Sequence, residues 1–354
     1  MLNRTQKNVW LCRYAALTAL TTLCLICLGG LVTSNEAGMS VPDWPTTYGY
    51  NMFFFPISKW IGGIFYEHTH RLLASAVGFM TIILAAWLWL KEARRWLRWI
   101  GALALFMVIL QGVLGGLRVT AMMPQLGIFH ATLAQLFFIL VAAIAVFTSR
   151  WWLEPAPAPN EPLRALLPWF SGLAGLILLQ LIIAATMRHQ HAGLAIPDFP
   201  LAYGNLWPDT SAEAIARYNQ TRMETTTINP ITAFQVQLQM AHRLCALCIF
   251  AAVLFLFRKT WQRLGSASFF FKLACLETAL IVAQITLGAA TIWTNKSADI
   301  TTIHVAVGAL SFLVSVLLVL LSIRSLAQYP SLFPASKPIK PCPISGPAPA
   351  NSQA

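Results

Sequence analysis

Charge is what this 354-residue sequence has least of: Asp, Glu, Lys and Arg together make up 10% of it, against about 25% in an ordinary soluble domain. With 57% hydrophobic residues, that excludes a water-soluble fold. Cysteine is missing from the polar connections. Cys12, Cys24, Cys27, Cys245, Cys248 and Cys275 fall in or beside apolar runs and Cys342 lies in the tail, so no disulfide framework is expected outside the helices. Cys245-x-x-Cys248 has the spacing of a redox or metal motif. No second pair accompanies it, and the reading is small apolar packing. The apolar runs contain no aspartate, which excludes the Asp-rich metal-diphosphate motifs of a membrane prenyl transferase. The first run is too long for a cleaved signal peptide, and no small-residue cleavage site follows it.

What is present is eight long apolar stretches, near 10–33, 67–90, 97–119, 126–149, 165–187, 234–257, 268–292 and 300–324. Each can cross a hydrocarbon core of roughly 30 Å, which takes about 20 residues. The predicted fold class is therefore all-α integral membrane. The net charge of +12 belongs to topology rather than to nucleic acid. With the N-terminus cytoplasmic, sixteen of the 24 basic residues fall inside, from Arg4 and Lys7 through the Lys91–Arg98 cluster to Lys337 and Lys340. This is the positive-inside pattern. It puts both termini in the cytoplasm of a cell inner (plasma) membrane, and the Lys91–Arg98 cluster can also touch anionic lipid.

The chain repeats itself. AGMSVPDWPTTYG at 37–49 returns as AGLAIPDFPLAYG at 192–204. His70-Arg71-Leu72 returns as His242-Arg243-Leu244, Gln111 with Leu114-Gly115 as Gln284 with Leu287-Gly288, and His130 as His304. The expected architecture is two tandem, parallel-repeat four-helix bundles related by a pseudo-twofold axis along the membrane normal. Residues 1–150 form the first half, 151–163 a Pro-rich linker and 164–325 the second half. Residues 326–354 are expected to be a disordered cytoplasmic tail. The longer second-half connection, about 188–233, carries a polar run at Tyr218–Thr227 and has room for a short surface helix.

Each repeated histidine opens an even-numbered helix about one turn inside the outer interface. A lone intramembrane histidine reads most simply as an interhelical hydrogen-bonder. Two repeated pairs at matched depth point to metal ligation, because a bundle can bring one histidine from each of two helices onto a haem iron. Arg71 and Arg243 then suit haem propionates; an arginine snorkelling to headgroups is the other reading. His68 points elsewhere on its helix, and His189 and His191 read as solvated or propionate-facing. The intramembrane ionisable groups are expected to cluster at the outer face.

The halves differ at one place. Glu67 stands three residues before His70, while Gln239 stands before His242. Residues three apart share a helix face, so a carboxylate lies near whatever His70 touches. There it can stabilise positive charge or move protons, or simply pair with Arg71. A site with an acid in one half and a bis-histidine site without one in the other divides into a reacting centre and an electron-transfer centre.

These residues resemble the heme A synthase family over about 10–325. The likeness rests on Glu67-His68-Thr69-His70-Arg71, Gln111-Gly112-x-x-Gly115-Gly116, His130, Pro42-Asp43-Trp44-Pro45, and the repeated His242-Arg243, Gln284 and His304. The resemblance implies oxidation of a haem O methyl group to the formyl group of haem A, by successive hydroxylation through an alcohol. It implies His70 and His130 as ligands of the substrate haem, His242 and His304 as ligands of a haem b cofactor near the outer face, and Glu67 as the catalytic carboxylate. It also implies haem O delivered by a heme O synthase, an electron donor, and a terminal oxidase that receives haem A; a homo-oligomer is compatible with it. Many bacterial members carry a cysteine pair in the first external loop, whereas residues 34–66 here have none. The Pro-Asp-Trp-Pro and Pro-Asp-Phe-Pro loops then read as lids, with Trp44 and Phe199 at the porphyrin edge, or as part of an interfacial aromatic belt. The competing readings are a dihaem bis-histidine membrane cytochrome b passing electrons, and a transporter without catalysis.

Overall fold

The computed structural model describes residues 8–123, 125–154, 161–221 and 230–327. Eight long helices dominate: α1 Val9–Ser34, α2 Gly62–Lys91, α3 Arg95–Thr120, α4 Leu126–Thr148, α5 Glu161–His189, α6 Ala233–Leu264, α7 Phe269–Trp293 and α8 Ala298–Ala327. All eight are long and apolar enough to cross a membrane. The connections include a short helix at Ala212–Thr221, within the segment expected to hold one. The tail beyond 327, residues 155–160 of the 151–163 linker and the end of the 218–227 polar run lie outside the described residues.

The ends of these helices follow local chemistry. Asn8 caps α1 by accepting from the Leu11 amide, Ser268 caps α7, and Thr232 with Gln235 forms a reciprocal capping box on α6; each satisfies N–H groups that the first turn leaves unpaired. Gly265, at φ +76°, ends α6. Several helices outrun their predicted spans. α2 begins at Gly62, so His70 lies two turns inside it rather than at its opening. α6 continues to Leu264 through Arg258, Lys259 and Arg263. Apolarity marks the membrane-crossing part only, and polar turns extend a helix past it.

α1, α2, α3 and α4 pack in a ring, each against the next, with α4 closing on α1; α5, α6, α7 and α8 do the same. The rings join through α1 on α8, α4 on α5, and α4 on α8. Close approach there depends on small and hydroxylated residues: Gly30 backs onto Thr302, and Ser34 Oγ meets Thr301 Oγ1 at 2.8 Å. Short connections make consecutive helices antiparallel. The four repeated histidines, the 35–61 segment and the 190–232 segment therefore gather at one end.

Not every ionisable group sits there. Glu277 is 2% exposed in α7, neither carboxylate oxygen has a hydrogen-bond partner, and it faces Phe170, Leu173, Val253, Leu256 and Leu318. It stands two helical turns from Gln284, away from the histidine end. The expectation that the intramembrane acids and bases cluster at the outer face fails here, because one carboxyl in an apolar run barely changes the run's hydropathy. A buried polar group without a partner costs about 1–3 kcal/mol. Glu277→Leu is expected to raise the thermal unfolding temperature of the detergent-solubilised protein, and a lower one would show that the acid stabilises the bundle.

Candidate functional site

The two segments that close the histidine end are built alike. Asp43 accepts from the amides of Tyr48 (2.7 Å) and Gly49 (2.8 Å), and Asp198 from those of Tyr203 (2.7 Å) and Gly204 (2.9 Å). Tyr48 and Tyr203 hold left-handed backbone, followed by Gly49 and Gly204 at φ +77° and +76°, a conformation that glycine adopts without strain. The tyrosine hydroxyls donate back to the Ser40 and Ala195 carbonyls. Trp44–Pro45 and Phe199–Pro200 are both cis. Partial burial works to raise the Asp43 carboxyl pKa, but the Gly49, Thr46 and Tyr48 hydrogen bonds outweigh it and hold it below the usual value.

Arg71 and Arg243 fasten these segments to their helices. Arg71 donates to the carbonyls of Val41, Asp43 and Thr46 and pairs with Glu67 Oε1 at 2.7 Å. Arg243 donates to the carbonyls of Leu201 and Asp198. Both terminal nitrogens of each guanidinium are thus engaged with backbone. Glu67, 4% exposed, also accepts from the Val41 amide at 2.8 Å. Gln239 repeats that bond: its Oε1 accepts from the Ile196 amide at 2.6 Å, and its Nε2 reaches the Gly193 and Ile196 carbonyls. The acid and the amide therefore hold the same backbone position in the two halves, and only one of them is ionisable.

His68 is fully buried, bonded through Nδ1 to Thr47 Oγ1 at 3.2 Å and packed against Phe55 and Trp60. It anchors the 47–60 segment. The Trp44 indole lies on Gly116 of α3, where an added Cβ would fall 2.6 Å from the ring. Phe199 meets Trp293 edge-on, with Arg243 over its face.

The histidines pair within each half. His70 lies within electrostatic reach of His130, and His242 of His304. The Nδ1 of all four is buried without a hydrogen-bond partner. Orphaned buried polar atoms are rare in folded proteins, and four at equivalent places fit a group that these rings would ligate. Glycines leave room beside them: Gly29 faces His70, Gly115 His130 and Gly288 His304. Gln111 donates to the His130 carbonyl at 3.1 Å and Gln284 to that of His304 at 2.7 Å. Gln180 of α5 adds a contact to the His242 ring at 3.2 Å. Among the described residues no cluster of three or more His, Cys, Asp or Glu side chains could hold a bare metal ion. The six described cysteines are free.

Three further residues reach the site: Arg118 and Arg188, which the sequence reading did not place, and His189, which it left between a solvated and a propionate-facing position. Arg118, near the end of α3, lies within electrostatic reach of Glu67, His70 and His130. His189 ends α5 but packs its ring onto Gly127 of α4, close to Arg118 and His130. Arg188 donates to the Gly30 carbonyl and to Ser34 Oγ on α1, near His304. A basic residue at a helix end resembles any interfacial residue in sequence, and only the helix packing turns these inward.

Comparison with known proteins gives a family for the chain. The family described as cytochrome oxidase assembly protein (COX15-CtaA) matches residues 12–316. The chain is 26% identical to the Heme A synthase of Shouchella clausii (strain KSM-K16) over 324 residues, covering 89% of this chain and 98% of that protein. It is 30% identical to the Heme A synthase of Halalkalibacterium halodurans over 213 residues, 58% and 68% of the two chains. It is 28% identical to that of Beijerinckia indica subsp. indica over 321 residues, 80% and 83% of the two chains.

Proposed function

The chain belongs to the COX15-CtaA family of cytochrome oxidase assembly proteins, and from that premise we propose that it is a haem A synthase, a multi-pass membrane oxidoreductase that converts haem O to haem A. The two four-helix halves are tandem repeats that divide the work. In residues 1–150, His70 and His130 hold the substrate haem and Glu67 is the catalytic carboxylate. In residues 164–325, His242 and His304 hold a resident haem b, which when bound supplies one-electron transfer. The single observation that carries this reading is the buried histidine pair in each half, every ring with an orphaned Nδ1.

Glu67, held by Arg71 and the Val41 amide beside the first pair, is placed to stabilise positive charge that develops on the carbon being oxidised. Arg71 and Arg243 bound their haems by pinning the Pro-Asp segments over them. Those segments, with Trp44 on Gly116, keep water from the reacting end. The asymmetry of Glu67 and Gln239 favours oxidation in the first half over simple electron carriage in both.

The protein lies in the plasma membrane with both termini cytoplasmic and the histidines near the outer face. It takes haem O from a heme O synthase and electrons from a separate donor, and passes haem A to a terminal oxidase. Haem extraction from protein made in cells that supply haem O tests the reading. Chromatography and mass determination are expected to find haem A or its hydroxymethyl precursor beside haem b. Haem b alone would mean a dihaem electron carrier.

A further inference from the structure

In the first half the arginine of the His-Arg motif already has partners of its own. Arg71 has both terminal nitrogens on the Val41, Asp43 and Thr46 carbonyls and on Glu67. Arg118 is the opposite case. It is half-buried, its guanidinium packs against Gly38, whose missing side chain leaves the space, and its Nε is buried without a partner. Among the described residues its side chain makes no hydrogen bond. Glu67, its one acidic neighbour in electrostatic reach, is already taken by Arg71 and the Val41 amide. His70, His130 and His189 surround the same space and bring no negative charge. An arginine desolvated in this way is costly unless an anion meets it. The second half has Thr291 at the corresponding place, with its hydroxyl bonded to the Leu287 carbonyl, so this vacant cation belongs to one half only.

We propose that Arg118, flanked by His189 from the other half, binds a carboxylate of the porphyrin held between His70 and His130. The inference rests on the reading that the first half holds the substrate haem. A guanidinium presents paired N–H groups that match a carboxylate edge to edge. One such anchor fixes which side of the macrocycle faces the 37–49 segment, and therefore which methyl group faces Glu67. Arg118 is a positioning residue, since it touches the substrate away from the reacting carbon.

The test titrates ferric protoporphyrin IX, and separately its dimethyl ester, into the purified full-length protein with its second-half haem in place, following the Soret band. The wild type is expected to prefer the free acid. Arg118→Gln is expected to weaken free-acid binding by about 10- to 100-fold, the value of a charge-assisted hydrogen bond, and to leave ester binding unchanged; Arg118→Lys recovers part of the loss. An undiminished preference for the free acid in Arg118→Gln overturns the proposal, including the case in which a lipid headgroup is the anion at Arg118. His130→Ala separates the two readings. If it abolishes porphyrin uptake while Arg118→Gln changes nothing, only the carboxylate assignment falls. If it leaves uptake intact, the first half holds no porphyrin and both fall. An unaltered resident-haem spectrum reports that Arg118→Gln has folded, and Arg118→Lys carries the comparison if it has not.

Discussion

Glu67→Gln is expected to leave the haem content of the purified protein unchanged while cutting conversion of haem O to haem A by about 10²- to 10³-fold, the usual loss when a charge aimed at the transition state is removed. The second half supplies the internal control. Gln239 occupies the equivalent position and holds the Ile196 amide just as Glu67 holds the Val41 amide. An amide is therefore sufficient to seat the Pro-Asp segment, and the substitution removes charge without removing the anchor. Glu67→Ala would do both and could not separate them. The check is a paired measurement of haem bound per chain and haem A formed. Wild-type output from Glu67→Gln would reduce Glu67 to a tether for the 37–49 segment.

His242→Ala and His304→Ala are each expected to eliminate the resident low-spin haem and, with it, turnover. Each removes one of the two histidines proposed to hold that haem, and neither ring has a substitute: Gln180 is the polar side chain bonded to the His242 ring, and Gln284 reaches only the His304 backbone. Reduced-minus-oxidised spectra and the haem-to-protein ratio check this. Retention of the full low-spin signal in both variants would remove the second half from electron transfer. The corresponding changes at His70 and His130 should spare that signal and affect only what the first half binds.

The features legible in the sequence were those that periodicity carries. Eight apolar runs gave eight helices, and the spacing of His70, His130, His242 and His304 gave two pairs at one end. The repeated Pro-Asp segments gave two loops with matching hydrogen bonds. Less legible was anything decided by where a long side chain turns. Arg71 follows a histidine and so reads as a haem contact, yet a loop folded back over α2 captures its guanidinium. Arg118 and His189 look like interfacial residues until α3 and α5 are packed. Glu277 is hidden in an otherwise apolar run. In each case the deciding contact joins residues far apart in sequence, and no local pattern encodes it.

The contacts between the rings are unequal. Arg188 and His189 leave the end of α5 and settle on Gly30, Ser34 and Gly127, whereas the matching positions on α1 carry the short Thr33 and Ser34, of which Ser34 returns a single bond, to Thr301 of α8. A protein that arose by doubling a four-helix ancestor would begin as an exchangeable pair, in which either copy could stand in for the other. Here that exchangeability is gone: the later copy has become part of the earlier copy's wall. Two first halves would lack the histidine and arginine that complete their shared seam, and two second halves would lack the glycines that receive them.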